Sequence, residues 1–530
     1  MNIAAWQNFL DCSPHVDSQW LLDGLKFGFD LGVQGGPPVS AARNCKTALS
    51  QPAIIDDYLR VELEHGSIAG PFASPPFNAL QINRFGVIPK STPGKWRLIT
   101  DLSYPQGASV NSLISDEFAE VKYEGILEAI TKITSLGQGT LMAKFDLKRA
   151  YRLLPVQAEH RFLLGMRWKE MFYIDLALPF GLRSAPKLFT RFADVLEHLL
   201  AVRCPMASMQ HYLDDFFVAC RPDSDDCTQA LSTCMAICKQ LGVPLADDKT
   251  EGPATCLTFL GFVLDSEKLE LRVPDDKIVK IKALLDQWVS RKTGTKRELL
   301  SLIGRLQHCC QAITLGRPFL RRLIDRAYSV AELHHYVRLS PWEREDVAWW
   351  HTLFEKWNGR SLFLLTGEQS SDLSIESDAA GSVGFAAIFR NQWFADRWPK
   401  GAETLNIAIK ELVPIVLAAF IWGIFWGRKR ICFRCDNIAV VECLRNGNCR
   451  DRHLAFLLRE LAILAIVRSF DFTAIHVPGV ENKLADALSR FNFQAFSRLA
   501  PTADSNSLEI PQDYLLRLVF PPWTKAGNIC

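Results

Sequence analysis

The sequence predicts an α+β or α/β protein made of several domains. Its 530 residues, 48% of them hydrophobic, exceed what one core organises, since a domain usually holds about 100–200 residues. Two stretches mix strand-like with helix-like segments, and in both of them acidic residues follow short apolar runs. A strongly basic stretch with helical periodicity lies between them. These patterns indicate about three to five units that contain both sheets and helices.

Overall composition limits the classes of function. Lysine and arginine number 60 against 58 acidic residues, so the net charge of +2 excludes a globally basic nucleic-acid coat, and any nucleic-acid site is expected to be local. The 15 cysteines are an odd number and no apolar leader follows Met1, which predicts an intracellular, reducing compartment, cytoplasmic or nuclear. The most apolar run, residues 412–426, is shorter than the roughly 20 residues that span a bilayer. We therefore expect a buried helix in a soluble protein with no membrane partner.

The first hundred residues predict an extension followed by a basic hairpin. Residues 1–70 carry no motif above background and are expected to pack on the domain that comes after them in the chain. Residues 84–101, RFGVIPKSTPGKWRLITD, have the pattern of two strands joined by a Ser-Thr-Pro-Gly turn. Four basic side chains in this hairpin are suited to phosphate binding: Arg84, Lys90, Lys95 and Arg97.

Three aspartates form the first acidic set. Residues 141–156 predict a strand that ends at Asp146, and residues 211–220 predict a hairpin whose tip carries Asp214 and Asp215 between apolar flanks. Carboxylates held together repel each other unless cations lie between them, and Mg²⁺ favours a few carboxylates together with substrate phosphates. Two such ions bind the attacking and the leaving oxygen in phosphoryl transfer. The alternative is a solvated Asp-Asp turn, as expected at residues 56–57 and 247–248.

Residues 277–326 are the most basic stretch, with twelve lysines and arginines against three acids. Leu299, Leu302, Ile303 and Leu306 recur on one face of a predicted helix, which leaves a basic face opposite. A merely solvated helical surface is the alternative. The excess of positive charge favours a surface that follows a nucleic-acid backbone.

The second acidic set lies in residues 373–490, where strands alternate with helices as in one α/β domain. Metal-dependent nucleases collect their ligands from the ends of several strands and helices. Zinc is disfavoured, because Cys432 and Cys435 are three residues apart in a predicted strand and point to opposite faces. Four acids are predicted at strand or helix ends: Asp378, Glu411, Asp436 and Asp486.

Five segments resemble motifs of reverse transcriptases, in the same order. FGVIPKSTPGKWRLITDLS resembles the fingers segment, and FDLKRAYRLLPV, LPFGLRSAPKLF, YLDD and FLGFVLD resemble the palm motifs. The resemblance implies a right-hand polymerase with fingers, palm and thumb. It also implies that Asp146 and Asp214 hold two Mg²⁺ ions, or Mn²⁺, while Asp215 completes the acidic tip.

The same resemblance implies contacts to the triphosphate of an incoming deoxynucleotide. Lys90 offers a point charge and Arg97 a planar fork of donors. Lys249 is a weaker match. The resemblance makes it a proton donor to the pyrophosphate leaving group, and an exposed lysine after two aspartates is the alternative.

A sugar-selecting pocket is also implied. Tyr151 stands five residues after Asp146, where the family keeps a bulky ring that collides with a ribose 2′-hydroxyl; a core tyrosine is the alternative. Phe180 matches a position near the nucleotide, and Gly181 permits close approach of the backbone.

The second acidic set resembles the ribonuclease H fold in its order of strand Asp, helix Glu, strand Asp and helix Asp. In HVPGVENKLADALSR, His476 precedes Asp486 by ten residues, like the mobile histidine that assists proton transfer or product release in that family; a structural histidine is the alternative. The resemblance implies two ions per active site and cleavage of the RNA strand of RNA–DNA hybrids. The implied metal ligands of both sites are Asp146, Asp214, Asp215, Asp378, Glu411, Asp436 and Asp486.

The predicted domains are therefore an N-terminal extension, fingers with palm, a thumb, a connection, a ribonuclease H-like domain and a C-terminal tail. Their expected bounds are residues 1–70, 71–265, 266–335, 336–372, 373–492 and 493–530.

The resemblance extends over residues 70–492 and is strongest to retrotransposons. DLSYPQGASVNSLI and the GPF…PPF segment resemble the tyrosine-recombinase elements of the DIRS and Ngaro type, with gypsy-type LTR retrotransposons as the next nearest. The sequence carries no signature of an aspartic protease, zinc knuckle, integrase or recombinase. A recombinase or integrase encoded by the element is expected on another chain.

The sequence thus predicts an RNA- and DNA-directed DNA polymerase of a retrotransposon, with ribonuclease H activity on the hybrid that it makes. Its expected partners are an RNA template, a DNA primer, the RNA–DNA hybrid and deoxynucleoside triphosphates. One alternative is a domesticated or decayed relative that binds RNA–DNA duplexes without catalysis. Another is a template-directed RNA polymerase, which Tyr151 disfavours.

Overall fold

The computed structural model describes residues 1–35, 42–89, 96–357, 360–362, 373–427, 429–468 and 470–521. The chain divides into two units. Unit 1 contains Met1–Leu260 and Ser266–Lys268, and unit 2 contains Gly261–Asp265 and Leu269–Cys530. Each unit mixes helices with sheets, as the sequence predicts.

Unit 1 contains seven α-helices and ten strands among its described residues. The helices are α1 (Ile3–Cys12), α2 (Ser18–Phe27), α3 (Lys46–Leu49), α4 (Pro52–Glu64), α5 (Ile126–Leu136), α6 (Ala185–Arg203) and α7 (Asp226–Leu241). The strands are β1 (Ile68–Phe72), β2 (Ile82–Pro89), β3 (Trp96–Asp101), β4 (Leu141–Asp146), β5 (Gly165–Trp168), β6 (Met171–Asp175), β7 (Ser208–Tyr212), β8 (Asp215–Cys220), β9 (Glu251–Ala254) and β10 (Cys256–Phe259).

The sheet that carries the first acidic set has the order β7-β8-β4-β9. Its side chains pack against α6, whose apolar residues recur at helical spacing and are buried. The Phe145 and Phe216 rings, from the two central strands, stack at a centroid distance of 5.0 Å. The same core takes in the N-terminal helices, since Trp6 of α1 is fully buried and its ring lies 5.6 Å from Phe192. Residues of α1 and α2 are therefore part of unit 1 rather than a separate arm.

A second sheet of unit 1 has the order β1-β6-β5-β2-β3. The predicted basic hairpin is present as the antiparallel pair β2 and β3, in which Ile88 lies opposite Arg97. Its tip, with Lys90 and Lys95, lies outside the described residues. Helix α4 packs on this sheet through Ile55 and Leu59.

Unit 2 contains ten α-helices and ten strands among its described residues. The helices are α8 (Asp275–Ser290), α9 (Lys296–Cys309), α10 (Arg321–Tyr328), α11 (Pro341–Trp357), α12 (Ile407–Trp422), α13 (Ile438–Asn446), α14 (Arg452–Val467), α15 (Lys483–Ser489), α16 (Phe493–Leu499) and α17 (Gln512–Val519). The strands are β11 (Phe262–Asp265), β12 (Glu270–Arg272), β13 (Thr293–Thr295), β14 (Tyr336–Arg338), β15 (Arg360–Leu362), β16 (Ser374–Ala380), β17 (Gly384–Phe389), β18 (Gln392–Arg397), β19 (Arg430–Cys435) and β20 (Asp471–His476).

The basic stretch forms α8, α9 and α10. The predicted apolar face is buried, and it consists of Leu299, Leu302, Ile303 and Leu306 on α9. Much of its positive charge is already paired within unit 2. Lys296 is 8% exposed and donates to the carbonyl oxygens of Val330 and Ala331, so it does not face solvent. Five further basic residues form ion pairs with acids: Lys280, Arg291, Arg321, Arg322 and Arg326. The surface available to phosphates is therefore smaller than the count of charges suggests.

The second acidic set lies at the sheet β18-β17-β16-β19-β20 and the helices packed on it. Strand β19 pairs in parallel with β16 and with β20, whereas the β16–β17 and β17–β18 pairs are antiparallel. Helix α12 packs against it and is almost wholly buried. Residues Ile407–Phe425 are helical, long and apolar enough to cross a membrane, yet 78% of their most apolar window is buried inside the protein. This segment is the core helix of the sheet, as the sequence predicts.

The sequence predicts a C-terminal tail after residue 492, and this prediction is wrong, because the described part of the segment is folded. Residues 493–521 fold back onto the sheet, and Leu515, Leu518 and Val519 of α17 enter the same core as α12. The backbone N–H of Leu508 donates to the carbonyl oxygen of Trp393 at 2.9 Å. The apolar residues in this segment are spaced irregularly between short helices, so they give no clear periodic signal.

Truncation of Leu518 tests whether this segment belongs to the folded unit. Leu518 is fully buried, so we expect Leu518→Ala to lower the free energy of unfolding of unit 2 by about 2–5 kcal/mol, measured by urea unfolding. Leu516 lies on the same helix but is 43% exposed, and Leu516→Ala should cost less than about 0.5 kcal/mol. Equal effects of the two substitutions would show that the segment is a loosely attached tail.

Candidate active sites

Strand pairing brings the first three aspartates together. Strands β4 and β8 are antiparallel, and Asp146 lies directly opposite Asp215. The β7–β8 turn consists of Leu213, at a φ of +56°, and Asp214. The N–H of Leu147 donates to the carbonyl oxygen of Asp214 at 3.0 Å and fixes this turn against the end of β4. The predicted strand end and hairpin tip are thus neighbours, as the apolar flanks suggest.

Two of these three carboxylates, Asp214 and Asp215, have a raised pKa, because they are buried beside Asp146. Burial and the neighbouring Asp146 raise the pKa of Asp215 to about 6. Burial and the Asp146 charge also raise the pKa of Asp214. Lys249 Nζ lies 2.8 Å from Asp146 Oδ2, and this hydrogen bond raises the pKa of the lysine. Three acids that share one lysine form an oxygen-rich donor set with surplus negative charge, which fits divalent cations.

Tyr151 lies next to this cluster in a pocket of aromatic rings. Its ring centroid is 5.3 Å from that of Phe180 and 5.5 Å from that of Phe189. Burial raises the pKa of Tyr151 to about 12, so its hydroxyl stays protonated. Phe180 is 50% exposed, so the pocket opens to solvent on that side. The ring is therefore half buried rather than enclosed in the core.

The turn at Gly181 is held by an asparagine that the sequence analysis does not identify. Gly181 has a φ of +97°, and a Cβ there would lie 3.0 Å from the Thr100 carbonyl oxygen. Asn111 Nδ2 donates to the Gly181 carbonyl oxygen at 2.9 Å, and Asn111 Oδ1 accepts from the Arg183 N–H at 2.8 Å. Asn111 is 70 residues away in sequence, so no local pattern links it to this turn.

The predicted triphosphate contacts are only partly described. Arg97 is exposed on β3, where its backbone pairs with that of Ile88. Lys90 lies outside the described residues. Lys249 lies in the carboxylate cluster, where its Nζ donates a hydrogen bond to Asp146 Oδ2.

The second acidic set is assembled from two parallel strands and two helices. Asp378 lies in β16, Asp436 follows the last residue of the adjacent β19, and Asp486 lies in α15. Asn482 Nδ2 donates to the Ser377 carbonyl oxygen at 2.9 Å and so fixes the start of α15 against β16. Glu411 lies in α12, and its Oε1 accepts from the Ala379 N–H at 3.3 Å.

Two positions in this set differ from the prediction. Asp378 lies inside β16, two residues before its end, because the strand continues through Ala380. Glu411 lies in the second turn of α12, since the helix begins at Ile407 after the capping residue Asn406. Both acids face the same centre despite these shifts.

The electrostatics of this cluster match those of the first. Burial and the charges of Asp378 and Asp436 raise the pKa of Glu411 to about 9. Burial raises the pKa of Asp378 to about 6, with Asp436 and Asp486 adding to the shift. Ligand atoms of Glu411, Cys435 and Asp436 all lie within 4.8 Å of one another, which fits a cation bound by carboxylates.

Neighbouring groups orient these acids, and most of them are absent from the sequence prediction. Ser489 Oγ donates to Asp378 Oδ2 at 2.5 Å, and Arg490 Nε lies 2.6 Å from Asp486 Oδ1. Both residues come after Asp486 in the predicted motif, yet nothing in their spacing distinguishes them from ordinary helix residues. His476 is exposed, and its Nε2 lies 3.0 Å from the Asp436 carbonyl oxygen. The histidine thus lies at the edge of the cluster.

Residues 88–264, which include the first cluster, match the family model described as reverse transcriptase (RNA-dependent DNA polymerase). The chain contains a reverse transcriptase domain. Over 388 residues the chain is 26% identical to Polyprotein P3 of Commelina yellow mottle virus, an alignment that covers 68% of this chain and 19% of that polyprotein. The chain therefore spans only a small part of the length of this curated relative.

The fold of the chain is similar to that of solved structures, in alignments that cover 89% of it. A foamy viral protease-reverse transcriptase in complex with double-stranded DNA has a TM-score of 0.51 and 15% identity, covering 89% of this chain and 81% of that one. The foamy viral enzyme in complex with an RNA/DNA hybrid also has a TM-score of 0.51, with 14% identity and coverage of 89% and 62%. The mixed α+β multidomain architecture is that of these retroviral reverse transcriptase structures.

Proposed function

We propose that the chain is an RNA- and DNA-directed DNA polymerase that also degrades the RNA strand of RNA–DNA hybrids. The observation that carries this proposal is the presence of two separate carboxylate clusters. Asp146, Asp214 and Asp215 lie in the reverse transcriptase domain. Asp378, Glu411, Asp436 and Asp486 come from two strands and two helices of unit 2. The two activities suit each other, because the hybrid made at one cluster is the substrate of the other.

In the polymerase site Asp146, Asp214 and Asp215 would hold divalent ions, two Mg²⁺ in this proposal, with Mn²⁺ as a substitute. When bound, these ions neutralise charge on the attacking and leaving oxygens of phosphoryl transfer. Lys249 lies at this cluster, and an ammonium there is suited to donating a proton to the pyrophosphate leaving group. Lys90 and Arg97 are the proposed contacts to the triphosphate.

The nucleotide pocket in this proposal is formed by the aromatic rings and the glycine turn. Tyr151 would exclude a ribose 2′-hydroxyl, Phe180 would contact the nucleotide, and the Gly181 turn would let the backbone approach it. Selection of deoxynucleotides therefore depends on the bulk of the Tyr151 ring rather than on its hydroxyl.

In the nuclease site Asp378, Glu411, Asp436 and Asp486 would hold two divalent ions, which supply an activated water for hydrolysis of the RNA strand. Ser489 and Arg490 hold two of these acids in place. His476 is exposed at the edge of the cluster, where an imidazole is able to take up or deliver a proton as the product leaves.

The biological setting in this proposal is a retrotransposon of the DIRS or Ngaro type, with gypsy-type elements as the next nearest. The substrates are an RNA template, a DNA primer and deoxynucleoside triphosphates inside the cell. A recombinase or integrase on another chain would insert the product. The segment DLSYPQGASVNSLI supports this setting and includes Asn111, which holds the Gly181 turn.

Primer extension tests the polymerase. The purified chain is incubated with a primed RNA template, Mg²⁺ and labelled deoxynucleotides, and extension of the primer is the expected result. Duplex binding without extension would favour the alternative, a relative that binds RNA–DNA duplexes without catalysis. Extension that begins only when ribonucleotides are supplied would favour an RNA polymerase.

Removal of the Tyr151 ring tests sugar selection. We expect Tyr151→Ala to raise the efficiency of ribonucleotide incorporation, relative to deoxynucleotides, by about 10²-fold, because the obstacle to the 2′-hydroxyl is lost. Tyr151→Phe keeps the ring and should keep the wild-type preference. An unchanged preference in Tyr151→Ala, measured as the ratio of kcat/KM values, would show that this residue is not the gate.

A further inference from the structure

The two arginines that flank Tyr151 share one carboxylate from the N-terminal segment. Arg149 Nη2 lies 2.9 Å and Arg152 Nε 3.0 Å from the same oxygen, Glu62 Oε2, near the end of α4. Glu62 is 9% exposed and Arg152 is 5% exposed, so this bridge lies inside unit 1. Buried charges are stable only when they are paired. Here one carboxylate pairs with an arginine on each side of the tyrosine and so restrains the chain around it.

Every nitrogen of the Arg152 guanidinium has a partner. Nη1 lies 2.6 Å from Asp175 Oδ1 and 3.1 Å from the Ala177 carbonyl oxygen, and Nη2 donates to the Ser67 carbonyl oxygen at 3.3 Å. The Ser67 side chain completes the network, because its Oγ accepts from Arg149 Nη2 at 2.7 Å. The planar fork of the arginine thus ties together α4, the start of β1 and the end of β6.

The backbone before Tyr151 needs such support. Arg149 has a φ of +70° and Ala150 a φ of +35°. Residues other than glycine rarely adopt these positive backbone angles. Such conformations persist only where the surrounding structure over-determines them, and they concentrate at functional sites. The turn carries the chain from Asp146 at the end of β4 to the Tyr151 ring, so its shape decides where the ring stands.

The carboxylate itself is rigidly placed. Helix α4 is anchored on the sheet β1-β6-β5-β2-β3 by Ile55 and Leu59, which are buried against Phe85. A hydrogen bond of 2.8 Å from Trp168 Nε1 to Asp56 Oδ1 adds a second attachment. Glu62 is therefore held in place by a well-packed helix, and it fixes Arg149 and Arg152 relative to that helix.

We infer that Glu62 is a positioning residue for sugar selection, which holds the Tyr151 ring in place through Arg149 and Arg152. This inference rests on the proposed function, since it assumes that Tyr151 is the gate. It gives the segment before residue 70 a role in the active site, which its sequence does not indicate. Because Glu62 does not itself touch the nucleotide, its loss should act on selection through the placement of the ring.

The test compares the full-length wild-type chain with Glu62→Gln in primer extension, using a deoxynucleotide and the ribonucleotide of the same base. We expect the ratio of the two kcat/KM values to fall by roughly tenfold to a hundredfold in Glu62→Gln, because small displacements in an active site cost factors of this size. Glu64→Gln is the matched control, since Glu64 lies on the same helix, is exposed and pairs only with Arg60 among the described residues. It should keep the wild-type ratio.

A double substitution separates positioning from general stability. In a chain that already carries Tyr151→Ala, adding Glu62→Gln should lower the ratio no further, because the ring that Glu62 positions is gone. Additive losses, or a Glu62→Gln ratio within twofold of wild type while Tyr151→Ala loses selection, would overturn the inference and leave the polymerase intact. If Glu62→Gln does not fold, Ser67→Ala removes one support of Arg149 and should lower the ratio in the same direction. A wild-type chain that incorporates no deoxynucleotide would instead refute the proposed function, and this inference with it.

Discussion

Asp214→Asn is expected to lower DNA synthesis by about 10³-fold or more while leaving RNA–DNA hybrid cleavage intact, because the metal site proposed there would supply several kcal/mol of transition-state stabilisation. Asparagine has nearly the same shape as aspartate, so the β7–β8 turn, which is held by the Asp214 backbone carbonyl, should be preserved. The substitution therefore removes a charge from the first cluster without unfolding it. Primer extension on an RNA template gives the readout, and cleavage of a labelled hybrid by the same preparation shows that unit 2 is intact.

Asp225→Asn is the matched control for this experiment. Asp225 is exposed at the start of α7, makes no capping hydrogen bond through its side chain, and carries the same charge. Its substitution should leave extension at the wild-type rate. Substantial synthesis by Asp214→Asn would mean that the cluster around Asp146 does not carry the polymerase chemistry. Loss of both activities would mean that the two clusters are not independent.

Asp436→Asn should have the reverse effect, with hybrid cleavage reduced by about 10³-fold or more and DNA synthesis retained. Asp436 lies with Glu411 and Cys435 in a group whose ligand atoms are within 4.8 Å of one another, and its charge raises the pKa values of Glu411 and Asp378. Neutralising it removes negative charge from the centre of the cluster, which weakens cation binding there. Release of labelled RNA fragments from an RNA–DNA hybrid in Mg²⁺ measures the effect.

For this second substitution Asp504→Asn serves as the control. Asp504 is exposed, and the hydrogen bonds that the structure gives it, to Asn391 and Trp393, are made by its backbone. The control should cleave hybrids at the wild-type rate. Hybrid cleavage that survives in Asp436→Asn would remove the ribonuclease from the proposed function and leave the polymerase.

Local sequence patterns predict the elements that carry the acids. The apolar runs around Asp146 and Asp214 indicate two strands, and the antiparallel pairing of β4 with β8 then brings their carboxylates together. The helical spacing of Leu188, Phe192 and Leu199 likewise predicts α6. These features depend on neighbours within a few residues, which is why one sequence suffices to find them.

The supporting contacts could not be predicted, because they join residues far apart in the chain. Asn111 reaches Gly181 across 70 residues, and Glu62 reaches Arg152 across 90. Neither residue type nor spacing identifies these partners, since an asparagine in a loop and a glutamate near a helix end are common in any sequence.

The position of Glu411 in the second turn of α12 was missed for a different reason. Helix starts are set by capping residues such as Asn406, and apolar periodicity does not locate them.

The packing of residues 493–521 on β18 determines where unit 2 tolerates being cut. The backbone N–H groups of Asp504 and Leu508 donate to the carbonyl oxygens of Asn391, just before β18, and Trp393, within it. The Trp393 ring also lies edge-on to the Phe496 ring, at a centroid distance of 5.4 Å. A chain ending at residue 492 would leave these two carbonyl oxygens and the Ala395 N–H without their partners, beside uncovered apolar side chains. Such open edges recruit strands from other molecules and lead to aggregation. A fragment of unit 2 intended for separate study should therefore extend at least through residue 521, and a fragment that ends at residue 492 is expected to self-associate.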